Sequence, residues 1–259
     1  EILKHTPEIP DTAQWGIFLR NHDELTLEMV SDEERAYMYQ QYAPEPRMRA
    51  NVGIRRRLSP LLDADRNQLE LLHGLLLSLP GSPVLYYGDE IGMGDNIWLP
   101  DRDGVRTPMQ WSNDRNGGFS KADPERLYLP AIQNDRFGYA QVNVESQLQQ
   151  ENSLLQWVRN QIMIRKQYPA FGKGTYREID STNEAVLTYL REYKGQTLLC
   201  VNNMSRLPQA VALDLSEFAG ITPRELSGGQ YFPTIGERQC VFTLAPHGFF
   251  WLDLSGEEE

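Results

Sequence analysis

The stretch WGIFLRNHDE, Trp15–Glu24, is a short apolar run that ends abruptly in four polar residues, Asn21, His22, Asp23 and Glu24. It reads as a buried strand with a functional loop at its carboxyl end. Ser31 and Glu34 then form a capping-box signature, which predicts a helix over Asp32–Gln41 closed by Pro44 and Pro46. Across Asp65–Leu79, Leu69, Leu72, Leu75, Leu76 and Leu79 recur at helical spacing and give one broad apolar face, stopped by Pro80-Gly81. Pro83–Tyr87 (PVLYY) predicts a second buried strand, followed at once by Gly88-Asp89-Glu90. Strand, helix, strand is a parallel pattern, and in an α/β barrel the carboxyl ends of such strands carry the active site.

The rest of the chain changes character twice. Gly92–Pro130 is a long loop rich in Gly, Asp, Asn and Arg, whose Trp98, Trp111 and Phe119 suggest an ordered, ligand-facing segment. Ser153–Tyr168 reads as a helix with Leu154, Leu155, Val158, Ile162 and Ile164 on its packed face. After Pro169 come short alternating runs, Ala185–Tyr193, Thr197–Val201, Gln209–Leu213, Val241–Leu244 and Phe249–Leu254. Turns are expected at Lys194-Gly195, Asn202-Asn203 and Gly228-Gly229, giving an all-antiparallel β region. A boundary near Phe171–Gly174 divides the chain into residues 1–171 and 172–259, the latter expected to fold by itself and to end in the acidic tail Glu257–Glu259.

Composition narrows the function classes. The 259 residues are 40% hydrophobic and 10% aromatic, enough for a sizeable core. A net charge of −11 argues against a nucleic-acid partner and is read as a solubility feature. Cys200 and Cys240, both in strand-like apolar runs, make no disulfide framework and are read as buried thiols. No run approaches the ~20 apolar residues of a membrane span. Glu1–Asp11 lacks a basic-then-apolar export pattern, so a cytoplasmic location is expected. The basic cluster Arg55–Arg57 is too short and too embedded in apolar residues for a targeting tail.

Four polar residues directly after a buried strand must be paired or face a cleft. They suit either a strand end that caps the next helix or glycosyl transfer, whose oxocarbenium-like transition state is stabilised by nearby carboxylates. A His beside the Asp can donate to a sugar hydroxyl. FLRNHDE, followed some sixty residues later by GSPVLYYGDEIGM with Gly81, Pro83, Tyr86, Gly88 and Glu90 in place, closely resembles the last two sequence blocks of the α-amylase superfamily, glycoside hydrolase family 13. The resemblance implies that Asp23 is the transition-state-stabilising carboxylate and His22 a hydroxyl donor. DRDGVRTPMQW, Asp101–Trp111, resembles the subgroup of oligo-1,6-glucosidases, sucrose isomerases and trehalose synthases. It implies Arg106 near the bound sugar; Arg106 could equally pair with Asp101 or Asp103 to hold the loop. GIFLRNHDELTLEMV, RMRANVGIRRRLSPLL, NGGFSKADPERLYLP and LLQWVRNQIMIRKQYPAFGKGTY are similar in wording to the trehalose synthase family throughout. That family interconverts maltose and trehalose by a retaining double displacement with the released glucose kept in the pocket. Glu24 and Glu28 could help close such a pocket, although Glu28 reads equally as a solvated charge.

A retaining enzyme also needs a nucleophile and a general acid about 5–5.5 Å apart. The family's Arg-x-Asp-x-x-x-Tyr-like nucleophile block is not found; Leu62–Arg66 and Arg177–Asp180 have the wrong contexts. The expected fold class is therefore α/β plus all-β: the C-terminal quarter of a (β/α)8 barrel, its last two strands and helices, followed by an antiparallel β-sandwich domain. Alone, the chain is expected to be catalytically silent. Its expected partners are maltose, trehalose, glucose and the missing N-terminal half of the barrel, against which Arg55–Arg57 and the leucine-rich helix would pack, with no nucleic acid, no membrane and a homo-oligomeric state. A hydrolytic α-glucosidase and a non-catalytic sugar-binding fragment are the alternatives. No cofactor is expected in this chain; calcium, which family members often bind, would be held by the missing part. His5, His73 and His247 lack companions at metal-ligand spacing, and Asp95, Asp101 and Asp103 lack a closing Glu.

Overall fold

A computed structural model describes residues 5–7, 9–10 and 12–256. Most of the Glu1–Asp11 segment and the Glu257–Glu259 tail lie outside the described residues. The elements are, in order, β1 (Gly16–Ile17), β2 (Leu25–Thr26), α1 (Asp32–Tyr42), β3 (Arg49–Ala50), β4 (Gly53–Ile54), α2 (Leu58–Leu61), α3 (Arg66–Ser78) and β5 (Ser82–Pro83). After the long loop come α4 (Val144–Leu148), α5 (Leu154–Gln167), α6 (Pro169–Lys173), β6 (Thr175–Glu178), β7 (Val186–Tyr193), β8 (Gln196–Asn203), β9 (Gln209–Leu213), β10 (Arg224–Glu225), β11 (Cys240–Leu244) and β12 (Phe249–Asp253).

The helices follow their sequence signals. Ser31 caps α1 in a full capping box with Glu34, Asp65 caps α3 by accepting from Asn67 N and Gln68 N, and Ser153 caps α5. Losing such a cap leaves backbone donors unsatisfied. Ser31→Ala is expected to cost about 1 kcal/mol; an unchanged urea midpoint would contradict it.

The strands WGIFLR and PVLYY are shorter and more exposed than expected. β1 and β5 pair in parallel, Gly16 opposite Ser82 and Ile17 opposite Pro83, but regular pairing spans two residues on each side. Trp15 is 46% and Phe18 51% exposed, and Val84, Leu85 and Tyr87 are exposed as well. A continuous apolar run encodes burial on both faces; here Leu19 packs against the core around Leu58 and Leu69, while Trp15, Phe18, Val84 and Leu85 stay exposed. Gly81 makes the pairing possible: its φ is +121°, and a Cβ there would stand 2.8 Å from Trp15 O.

The β region is antiparallel throughout. One sheet has the order β10-β12-β8-β7-β6 and a second pairs β11 with β9. Their facing sides form one core around Leu190, Leu199, Val201, Val211, Leu213 and Phe242. Lys194-Gly195 forms the expected tight turn, with φ of +48° and +84°, as a two-residue hairpin loop requires. Asn202-Asn203 is not a turn: both are buried at the end of β8. Asn203 Nδ2 donates to Leu207 O and Ala245 O, both at 2.8 Å. Cys200 is buried and Cys240 half-buried, both as free thiols.

The opposite face of the five-stranded sheet carries Tyr189, Leu198, Cys200 and Trp251. These pack with Leu71, Leu75 and Leu77 of α3, Ile164 of α5 and Ala170-Phe171 of α6 in one core. The leucine-rich helix thus packs on the β region of its own chain. That shared core argues against independent folding of residues 172–259, because the removal of α3, α5 and α6 would bare Trp251 and Tyr189. His73 is buried in α3, with Nδ1 2.8 Å from Leu69 O, a histidine packed into the helix's own face. No helix among the described residues is long and apolar enough to cross a membrane.

Candidate active site

The turn after β1 is built from its own side chains. Asn21 Oδ1 accepts from Asp23 N at 2.8 Å, an Asx turn that reverses the chain at His22. Arg20 points inward and is buried. Its Nε donates to Arg56 O at 2.7 Å and its Nη2 to Ile54 O at 3.0 Å and Asp23 O at 3.3 Å. The backbone under Asp23 is therefore held from below while its carboxylate stays 43% exposed. Gly53 of β4 lies close against the same turn, where a Cβ would meet Leu25 O at 2.6 Å.

From above, the loop Asp101–Arg106 reaches over the turn. Arg102 Nε donates to Asp23 Oδ1 at 2.6 Å and to Glu24 Oε2 at 2.8 Å. Hydrogen bonds with Glu24 and with Arg102 hold the Asp23 carboxyl well below the usual carboxylate range. Glu24, its side chain 13% exposed, also accepts from Asn51 Nδ2 at 2.8 Å, so it braces the turn. His22 and Glu28 are exposed. Arg106 Nε donates to His22 O at 2.8 Å, and its Nη1 lies 3.9 Å from Asp103 Oδ1. The structure thus brings His22, Asp23, Glu24 and Arg106 together. It adds Arg102, which the sequence reading missed: two arginines four apart in DRDGVR could each turn toward the site.

Beside Arg106 lies an open cavity of about 520 Å³ whose walls include Tyr87, Glu90, Trp111, Phe119 and Tyr128. Trp111 and Phe119 are half-exposed and Tyr128 fully so. Burial pushes the Glu90 carboxyl up. Neither His22 nor Asp23 lines this cavity; Arg106 joins the two.

A buried charged layer supports both. Arg57 is fully buried, its guanidinium carbon 4.6 Å from the ring centroids of Tyr86 and of Tyr87. Its Nη1 donates to Tyr87 O at 2.7 Å and lies 3.5 Å from Asp89 Oδ1. Tyr86 Oη donates to Val105 O at 2.9 Å and Tyr87 Oη to Thr107 O at 2.7 Å, which fixes the backbone on both sides of Arg106. Asp95 Oδ2 accepts from Arg56 Nε and Arg57 N, each at 2.8 Å. Arg55 Nη1 and Nη2 donate to Leu99 O at 2.6 Å and Ile97 O at 2.9 Å. Loops of this chain thus hold Arg55 and Arg56, whereas the buried Arg57 keeps Nε and Nη2 without a hydrogen-bond partner among the described residues. Burial pushes the Asp89 carboxyl up to about 7, outweighing Arg57. Among the described residues, no cluster of three or more His, Cys, Asp or Glu could hold a metal ion.

Comparison with known proteins gives concordant results. Residues 55–174 match the model of the alpha amylase catalytic domain, and residues 176–251 that of the maltogenic amylase C-terminal domain. The trehalose synthase/amylase TreS of Mycolicibacterium smegmatis is 61% identical over 98% of this chain, which covers 44% of that protein. The trehalose synthase of Thermus thermophilus is 51% identical over 96% of this chain, covering 26% of its length. A crystal structure of a trehalulose synthase in complex with Tris superposes with a TM-score of 0.61 at 24% identity, over 92% of this chain and 43% of that one. The chain thus spans less than half the length of these relatives, and the matched folds agree with a barrel part joined to an antiparallel sheet domain.

Proposed function

Because the chain belongs to the α-amylase superfamily, we propose that it is the C-terminal part of a trehalose synthase, contributing the last quarter of the (β/α)8 barrel and the β domain behind it. The whole enzyme interconverts maltose and trehalose by intramolecular, retaining glucosyl transfer. The observation that carries this reading is Asp23, a partly exposed carboxylate in the loop after a parallel strand, clamped by Arg102, in a turn that Arg106 links to an aromatic-walled cavity.

Asp23 acts through its charge. Positive charge grows on the sugar ring as the glycosidic bond breaks, and a fixed carboxylate nearby stabilises that state more than the ground state. His22 donates to a ring hydroxyl, and Arg106 reaches the sugar from the loop. Glu24 contributes by bracing the turn. The nucleophile and general acid come from chain outside these 259 residues, as does any calcium site. Without them Asp23 opens no bond, so the isolated chain is silent. The cytoplasm and a homo-oligomeric assembly complete the reading.

The test is a chimera. This chain replaces the matching 44% of the M. smegmatis relative, and maltose is supplied. Trehalose is expected from the chimera and none from the isolated chain. Glucose release without trehalose would instead mark a hydrolytic relative, and turnover by the isolated chain would sink the assignment of the missing carboxylates.

A further inference from the structure

The Arg102 guanidinium contacts three carboxylates at once. Besides its Nε bonds to Asp23 and Glu24, Nη2 donates to Glu24 Oε1 at 3.4 Å and Nη1 to Asp101 Oδ1 at 2.8 Å. Two adjacent acids facing one site would otherwise repel, and one of them would resist ionisation. A planar guanidinium between them removes the conflict and fixes direction as well as charge.

The loop that delivers Arg102 is itself pinned. Asp103 N donates to Pro100 O at 3.1 Å, Val105 N to Arg102 O at 3.0 Å and Asn96 N to Gly104 O at 2.9 Å. A Cβ on Gly104 would stand 2.3 Å from Asn96 O, so the loop closes only with glycine there. With Arg55 holding Leu99 O and Ile97 O from below, Arg102 is presented by a fixed support.

We propose that Arg102 is a positioning residue that locks the Asp23 carboxylate in a single orientation and keeps it ionised, with Glu24 and Asp101 anchoring the guanidinium in place. This rests on the reading of Asp23 given above. Arg102 and Arg106 then divide the work: Arg102 holds the carboxylate, and Arg106 holds the His22 backbone and faces the cavity.

The test follows the Asp23 carboxyl carbon by NMR titration in the full chain, for the native sequence, Arg102→Gln and Arg102→Lys, with thermal melts to show that each is folded. The native carboxyl is expected to stay ionised well below the ordinary aspartate midpoint of about 3.9. Arg102→Gln moves the midpoint up toward that value, and Arg102→Lys, which keeps a charge without the fork, recovers part of the difference. In the chimera Arg102→Gln lowers kcat on the order of 10²-fold, the effect of a ~1 Å misplacement, with KM little changed. An Asp23 midpoint unmoved in Arg102→Gln overturns the proposal whatever the chimera does. A moved midpoint in a chimera that is inactive with Arg102 intact supports the clamp and counts against the catalytic reading alone.

Discussion

Replacing Asp23 by Asn in the chimera is expected to lower kcat on the order of 10³-fold, the size of losing a preorganised electrostatic group, while the fold stays intact. The substitution is nearly isosteric. The amide oxygen can still accept from Glu24 N, which now bonds Asp23 Oδ1 at 3.1 Å, and the Asn21 bond to the backbone at 23 is untouched. What disappears is the negative charge. A ground-state sugar is neutral, so its binding changes little and KM moves less than kcat. Initial rates with maltose, together with a thermal melt, check the expectation. A variant within tenfold of the parent rate would remove Asp23 from its role.

The second large effect concerns Arg57. Arg57→Met is expected to cost about 3–5 kcal/mol at pH 8, the usual consequence of leaving a buried charge without its partner. Met fills much of the volume but forfeits the stacking between Tyr86 and Tyr87 and the bond to Tyr87 O. Asp89 then stays buried without its ion-pair partner, with Glu90 raising its carboxyl and the buried Arg20 as the remaining cation acting on it. The sign of the pH dependence follows from its raised value of about 7. Between the unfolded carboxylate value of about 3.9 and 7, the folded chain binds more proton than the unfolded chain. Asp89 thus makes stability fall as pH rises across that window. Removing Arg57 pushes the carboxyl higher still and carries the loss to higher pH. The cost of Arg57→Met is therefore smaller at pH 5, where Asp89 neutralises itself. Urea unfolding at both pH values tests this; an equal cost at each would mean that Asp89 does not carry it.

Local signals were legible in the sequence where they were self-contained. Ser31 with Glu34, Asp65 and Ser153 each satisfy backbone donors within one turn, so their helices begin where the residues say. The strands were less so. An apolar run such as WGIFLR states how much burial a segment calls for, and Trp15 and Phe18 show that it does not state what supplies it. Asn202-Asn203 misled for a related reason. Asn favours turns when its side chain serves its own backbone, and here Asn203 serves carbonyls at 207 and 245 instead. At the site, FLRNHDE marked His22 and Asp23 because adjacent residues stay adjacent. Arg102 lies 79 residues from Asp23, and its direction depends on loop geometry, including the positive φ of Asp101, which no local pattern encodes.

The core shared by α3, α5, α6 and the five-stranded sheet sets where this protein can be cut and rejoined. A splice at the change of character near Gly174 would pass through a single hydrophobic interior, separating Phe171 from Trp251, whose rings stand 4.7 Å apart. Exchange of parts between relatives should therefore treat the helices and the sheet as one cassette. Such a cassette runs from the Asp65 cap to Leu254 and carries α3, α5 and α6 with the sheet. A junction placed in the exposed turn before Asp65, where Asp63 and Ala64 already adopt positive φ, spares that interior but divides the smaller cluster in which Leu58 and Leu62 pack with Leu69, Leu154 and Val158.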